Sequence, residues 1–154
     1  TAKGRARLIA RVRACGAVQG TKPLLASSGN DHVVRLWNVQ ARTCVAALDA
    51  HTSRVWQVAA MPSGHSFASA SADGTVCLWN TQEVLSDAAA MASGVALSVP
   101  PRLVLRAHAG DVHTCRFHPT DQQLLLSAGY DKTVRLCDVA TGTTLRTMHG
   151  HLRS

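Results

Sequence analysis

Short runs of alternating apolar and polar residues, each closed by turn-forming residues, recur along the chain and predict strands rather than helices. The first set reads as Arg7 to Ala14, Leu24 to Ser28, Val33 to Val39 and Thr43 to Leu48. A second covers Arg54 to Ala60, His65 to Ser71, Thr75 to Asn80 and Arg102 to Arg106. A third covers Asp111 to Phe117, Gln123 to Ala128, Thr133 to Val139 and Thr143 to Met148. Apolar positions correspond between sets: Val55 and Val58 match Val112 and Cys115, and Pro62 matches Pro119. The expected class is all-β, with four-stranded antiparallel sheets as the unit.

The polar positions repeat as well. Ser27-Ser-Gly-Asn-Asp31-His-Val-Val-Arg-Leu-Trp37-Asn, Ser69-Ala-Ser-Ala-Asp73-Gly-Thr-Val-Cys-Leu-Trp79-Asn and Ser127-Ala-Gly-Tyr-Asp131-Lys-Thr-Val-Arg-Leu-Cys137-Asp share one register. In every copy Ser lies four residues before the Asp, and Trp, or Cys in the third, lies six after it. Asp31 to Asp73 is 42 residues and Asp73 to Asp131 is 58, while His51 to His108 is 57 and His108 to His151 is 43. A unit of about 42 residues therefore recurs with one insertion, and a period of about 40–45 with four short strands per unit marks a propeller blade.

These segments resemble WD40 repeats, with their Gly-His pair (Ala50-His51, Ala107-His108, Gly150-His151), Ser-x-x-x-Asp turn and Leu-Trp-Asp ending. The resemblance implies an incomplete WD40 β-propeller divided into repeat 1 over 1–51, repeat 2 over 52–108 with an insertion at 81–101, repeat 3 over 109–151, and a truncated fourth repeat starting at 152–154. It also implies a hydrogen-bonded tetrad of His51, Ser69, Asp73 and Trp79 in the second repeat. The third repeat keeps His108, Ser127 and Asp131 but has Cys137 in the Trp slot, so it lacks the indole donor. Cys137→Trp is accordingly expected to restore donor and apolar area. The first repeat keeps Ser27, Asp31 and Trp37, and its His slot, near Arg5, holds no His.

Spacing places the insertion. Trp37 to His51 and Cys137 to His151 are 14 residues each, whereas Trp79 to His108 is 29, so 15 extra residues lie within Thr81 to Pro101. Glu83 to Met91 is expected to form a short helix ended by Gly94 and Pro100-Pro101, in a surface loop, with a partner-docking element as the alternative. At 154 residues the three blades are fewer than the roughly 4–8 that close a propeller. The chain is therefore expected to be part of a longer protein.

The net charge of +7 is concentrated at one end: Lys3, Arg5, Arg7, Arg11 and Arg13 lie where there is no acid, and the other 141 residues carry 11 basic and nine acidic groups. A nucleic-acid surface calls for a basic stripe with stacking aromatics, and aromatic residues make up only 4%. Nucleic acid is not an expected partner. Five cysteines without a C-x-x-C pair point to buried free thiols in a reducing compartment, cytoplasmic or nuclear. Cys115-Arg-Phe-His118 is too isolated to make a metal site, no cofactor loop is present, and no apolar run of about 18 residues suggests a membrane span. Ser, His and Asp in each unit have the composition of a catalytic triad, but their recurrence at structural positions points to architecture.

The resemblance further implies that the residues three and five after the His, and the one before the Asp, face partners. These are Arg54, Trp56 and Ala72 in the second repeat, Asp111, His113 and Tyr130 in the third, and Asn30 in the first. Trp56 has an alternative use as packing between blades. The expected function is a non-enzymatic scaffold, a subunit of a multiprotein complex that binds proteins or peptides through the propeller face. Three other readings stay open: a substrate receptor of a cullin-type ubiquitin ligase, an RNA-associated propeller, and the targeting module of an enzyme whose catalytic domain lies elsewhere. The first of these is lowered by Trp37-Asn-Val-Gln40, Trp79-Asn-Thr-Gln82 and Cys137-Asp-Val-Ala140 where such receptors often carry Trp-Asp-x-Arg.

Overall fold

The computed structural model describes residues 7–12, 24–90 and 99–151. The expectations placed on Arg5, Ala14, Cys15, Gly94 and residues 152–154 lie outside them. The first sheet pairs β1 (Arg7–Val12), β2 (Leu24–Ser28), β3 (Val34–Asn38) and β4 (Thr43–Leu48) in sequence order. The second pairs β5 (Val55–Ala60), β6 (Ser66–Ser71), β7 (Val76–Asn80) and β8 (Leu103–Leu105), and the third β9 (Val112–Phe117), β10 (Leu124–Gly129), β11 (Thr133–Asp138) and β12 (Thr144–His149). All pairings are antiparallel. Most strands differ from expectation by one residue at an end. β8 is the shortest, because only Leu103 to Leu105 find partners, on Val76 to Leu78.

One turn recurs in all three sheets and a second in two of them, and together they explain the polar repeat. After the motif Asp, the chain enters the left-handed region at His32 (φ 66°), Gly74 (φ 83°) and Lys132 (φ 64°). After the Trp or Cys slot, the side-chain oxygen of Asn38 accepts from the backbone of Gln40 and Ala41, and that of Asp138 from Ala140 and Thr141, so each closes the turn to the outer strand. Those backbone N–H groups hold the Asp138 carboxyl below the usual carboxylate range.

In the second sheet the same acceptor starts a helix instead. Asn80 Oδ1 accepts from the backbone N–H groups of Gln82 and Glu83, and Asn80 Nδ2 donates to Glu83 Oε1, which caps α1 (Thr81–Ala90). The helix thus begins two residues before the expected Glu83. Nor is its start a surface loop: Val84 (1% exposed) and Val99 (7%) lie in one buried cluster with Trp79, Phe67, Leu36 and Leu48, and α1 packs on β4 and β7. The two valines gain apolar burial there, about 1.5–3 kcal/mol for each fully covered side chain.

The sheets stack face to face around β5, which packs against β1 on one side and β9 on the other. Every residue of β6 is buried, and apart from Phe67 its sequence Ser-Phe-Ala-Ser-Ala-Ser keeps side chains small where both faces are covered. A second buried cluster joins Ala68, Ala70, Val76 and Leu78 to Val112, Cys115, Phe117, Leu125 and Cys137 of the third sheet. Backbone bonds run from Val55 N to Gly29 O at 3.2 Å and from His108 N to Gly74 O at 3.2 Å, fastening neighbouring sheets at their Asp turns. Cys77, Cys115 and Cys137 are buried free thiols, but Cys44 corrects the expectation of burial: β4 turns it outward to solvent. No helix among the described residues is long and apolar enough to cross a membrane.

Candidate functional site: the polar tetrads and the Trp56 cleft

In the second sheet the structure brings His51, Ser69, Asp73 and Trp79 together. Asp73 Oδ2 lies 2.9 Å from His51 Nδ1, and His51 Nε2 lies 2.8 Å from Ser69 Oγ. The Trp79 indole N–H donates to Ser69 Oγ at 3.0 Å. An ionised carboxylate only accepts, so the imidazole hydrogen sits on Nδ1, and the Ser69 hydroxyl is left to donate to Nε2. Burial alone would raise the Asp73 carboxyl, but hydrogen bonds from the Thr75 hydroxyl, His51 and the Thr75 backbone outweigh it and hold the group below its ordinary value.

The third sheet repeats this geometry without the indole. His108 Nδ1 lies 2.8 Å from Asp131 Oδ1, and Nε2 lies 2.9 Å from Ser127 Oγ. Burial opposes, and hydrogen bonds from Thr133 and His108 overcome, so Asp131 is also held well below the usual carboxylate range. Cys137 is 1% exposed and belongs to the cluster with Leu125, Phe117 and Val139. The Trp slot is therefore closed to solvent and packed by apolar neighbours, which an indole at position 137 would have to displace.

The first sheet departs furthest. Trp37 donates to Ser27 Oγ at 2.8 Å, while Asp31 forms an exposed ion pair with Arg35. The Thr that binds the carboxylate in the other two sheets, Thr75 and Thr133, is Val33 here. Ser28 Oγ is buried without a hydrogen-bond partner among the described residues, beside a cavity of about 330 Å³ lined by Ser27, Asp31, Arg35 and Trp37 among others. Sequence reasoning missed Thr75, Thr133 and Arg35; the signal was a Thr two residues after each Asp that has a His, and its absence where the His is absent.

The second cluster lies between the first two Asp turns and the segments that enter β5 and β9. Arg54, Trp56, Ala72, Asn30, His32, Ser53 and Asp111 line a cleft of about 380 Å³. The Trp56 indole N–H donates to Asp111 Oδ2 at 3.1 Å, its ring meets His113 with centroids 5.3 Å apart, and the Arg54 guanidinium lies 4.7 Å from the Trp56 ring centre. Tyr130 joins the edge, its backbone N–H donating to Asp111 O at 2.8 Å, with its side chain 61% exposed. Trp56 is half-buried, so it both bridges the second and third sheets and presents a surface. The bond to Asp111 spans 55 residues and was not legible in the sequence.

A family model described as "WD domain, G-beta repeat" matches residues 42–80 and 100–138. The chain belongs to the WD40 repeat family. Among WD-repeat relatives, it is 29% identical to periodic tryptophan protein 2 of Arabidopsis thaliana, over 89% of this chain and 19% of that one. It is 30% identical to transcription initiation factor TFIID subunit 5 of Caenorhabditis elegans, over 85% and 18%. A ribosome biogenesis protein of Chlamydomonas reinhardtii, the WDR12 homolog, is 32% identical over 82% and 33%. The chain thus spans between about a fifth and a third of the length of these curated relatives.

Within WD40 blades, the Ser-His-Asp geometry is a structural network. Ser69 is wholly buried and Ser127 is 1% exposed, so no substrate carbonyl can reach either hydroxyl, and the Trp79 indole already occupies Ser69 Oγ. Among the described residues no three His, Cys, Asp or Glu side chains converge as a metal site. What the arrangement offers solvent is the cleft around Trp56.

Proposed function

We propose that the protein is a non-enzymatic interaction scaffold whose WD40 blades present the Trp56 cleft, with Asn30, Arg54, Asp111, His113 and Tyr130, to other proteins or peptides. The reading rests chiefly on one observation: residues of three blades line one cleft, in which Arg54, Asp111 and His113 fix a half-exposed tryptophan. Trp, Tyr and Arg are the residue types that most often dominate binding energy at interfaces. A ring held by a neighbour's carboxylate, an imidazole and a guanidinium loses little further freedom on binding. Relatives named as a transcription factor subunit and a ribosome biogenesis protein favour membership of a multiprotein complex, in the nucleus or cytoplasm.

The test is the recovery of co-purifying proteins with the protein at its natural length. Trp56→Ala with Tyr130→Ala should abolish recovery at near-normal stability. Ser86→Arg, on the exposed side of α1, should leave it intact. Partners kept by the double variant and lost by Ser86→Arg would move the site to the outer rim.

A further inference from the structure

We propose that the Arg54 side of this cleft receives the carboxylate of an acidic peptide segment; the inference rests on the scaffold reading and names the chemistry of its partner. Arg54 lies with its guanidinium over the Trp56 ring and is itself exposed. Stacking on an indole occupies one face of the guanidinium and leaves its edge N–H groups free, the geometry that holds a carboxylate through two parallel hydrogen bonds. No acidic side chain among the described residues pairs with Arg54.

The surrounding charges favour the same ligand. Of the carboxylates at this end, Asp31 is committed to Arg35, Asp73 to His51 and Thr75, and Asp131 to His108, Thr133 and Arg135, while Asp49 stands exposed after β4 and outside the cleft lining. Asp111 binds the Trp56 indole through Oδ2. The arginines at positions 35 and 135 are neutralised by those pairs, whereas Arg54 and Lys132, on the exposed turn beside Tyr130, have no ion-pair partner among the described residues. Among the residues lining the cleft, Arg54 is the one lysine or arginine, and its guanidinium has no ion-pair partner among the described residues, so it is the group an incoming carboxylate would meet. Asp111 Oδ1 accepts no hydrogen bond among the described residues, and it would take a backbone N–H of the same peptide.

The experiment uses the protein at its natural length, labelled with ¹⁵N at its tryptophan indoles, with the Trp56 signal identified by its loss in Trp56→Phe. The probe is an end-blocked hexaglutamate peptide, with hexaglutamine as the neutral control. Hexaglutamate should shift the Trp56 signal and hexaglutamine should not. Arg54→Gln should weaken the response about tenfold, the loss of one charge-assisted paired contact, and Arg54→Lys should recover only part, since an ammonium group cannot offer the parallel pair. An unchanged hexaglutamate response in Arg54→Gln, or an equal response to hexaglutamine, overturns the inference. Co-purification separates the two readings: partners lost by Trp56→Ala but kept by Arg54→Glu refute the acidic ligand and leave the face standing, and partners kept by both refute the face as well.

Discussion

Asp73→Ala tests the tetrad most directly, because one side chain accepts four hydrogen bonds. They come from His51 Nδ1 at 2.9 Å, Thr52 N at 3.0 Å, Thr75 N at 2.9 Å and Thr75 Oγ1 at 2.6 Å. Thr52 is exposed and can turn to water, so it adds little. The His51 side chain is fully covered and cannot. A buried donor stripped of its acceptor costs about 1–3 kcal/mol, and the charge-assisted bond puts this case in the upper half of that range. Asp131→Ala should cost about as much through His108. Asp31→Ala, at the same place in the first sheet, breaks only an exposed ion pair with Arg35 and should cost about 0–1 kcal/mol. Urea unfolding at neutral pH, followed by tryptophan fluorescence in the protein at its natural length, measures all three. The folded-state Asp73 carboxyl is held below its ordinary value, so its contribution is complete above the unfolded value of about 4 and fades as pH falls through the lower folded one. The gap between the native protein and Asp73→Ala should therefore close in acid. Equal costs at Asp31 and Asp73, or a gap that widens in acid, would refute the reasoning.

Cys137→Trp should lower stability by about 1–3 kcal/mol through overpacking, read by the same unfolding curves, and a gain would show that the third sheet opens to admit the ring. Under native conditions an alkylating reagent should label Cys44 and spare Cys77 and Cys115, whose thiols burial pushes up to about 12; mass spectrometry before and after unfolding checks this. Val84→Ala should cost about 1–3 kcal/mol by opening space beside Trp79, measured by thermal melting, whereas a neutral result would mean that α1 does not seal that core.

Strand positions were legible because short, largely apolar runs such as β2, β3 and β4 are bounded by turn residues, and the repeated Ser, Asp and Trp fixed the register. The helix was half legible. Asn80-x-x-Glu83 is a capping pattern present in the sequence, yet Asn38 and Asp138 stand at the same repeat position and close hairpins, so the residue alone does not decide. Val84 and Val99 gave no sign of burial, because apolar residues in a long loop carry no period relative to a core on another sheet. Cys44 misled for a related reason: a period of two leaves the side of an outer strand undecided until the neighbouring sheet is placed. The members of the Trp56 cleft were named from repeat positions, but the indole bond to Asp111 joins two blades and depends on how they stack, a tertiary property that no local pattern encodes.

The backbone bond from His108 N to Gly74 O joins the turn after one motif Asp to the histidine of the next motif. Gly74 sits at φ +83°, and a Cβ there would come within 3.0 Å of the His108 carbonyl oxygen, so the two motifs touch without slack. Damage to Asp73 thus propagates forward along the array: once its turn relaxes, the next imidazole loses its anchor. Such a chain behaves like a row of coupled spins, with nearest neighbours sharing an interaction energy. Asp73→Ala and Asp131→Ala combined should then cost less than the sum of the two alone, because the first substitution has already loosened what the second removes.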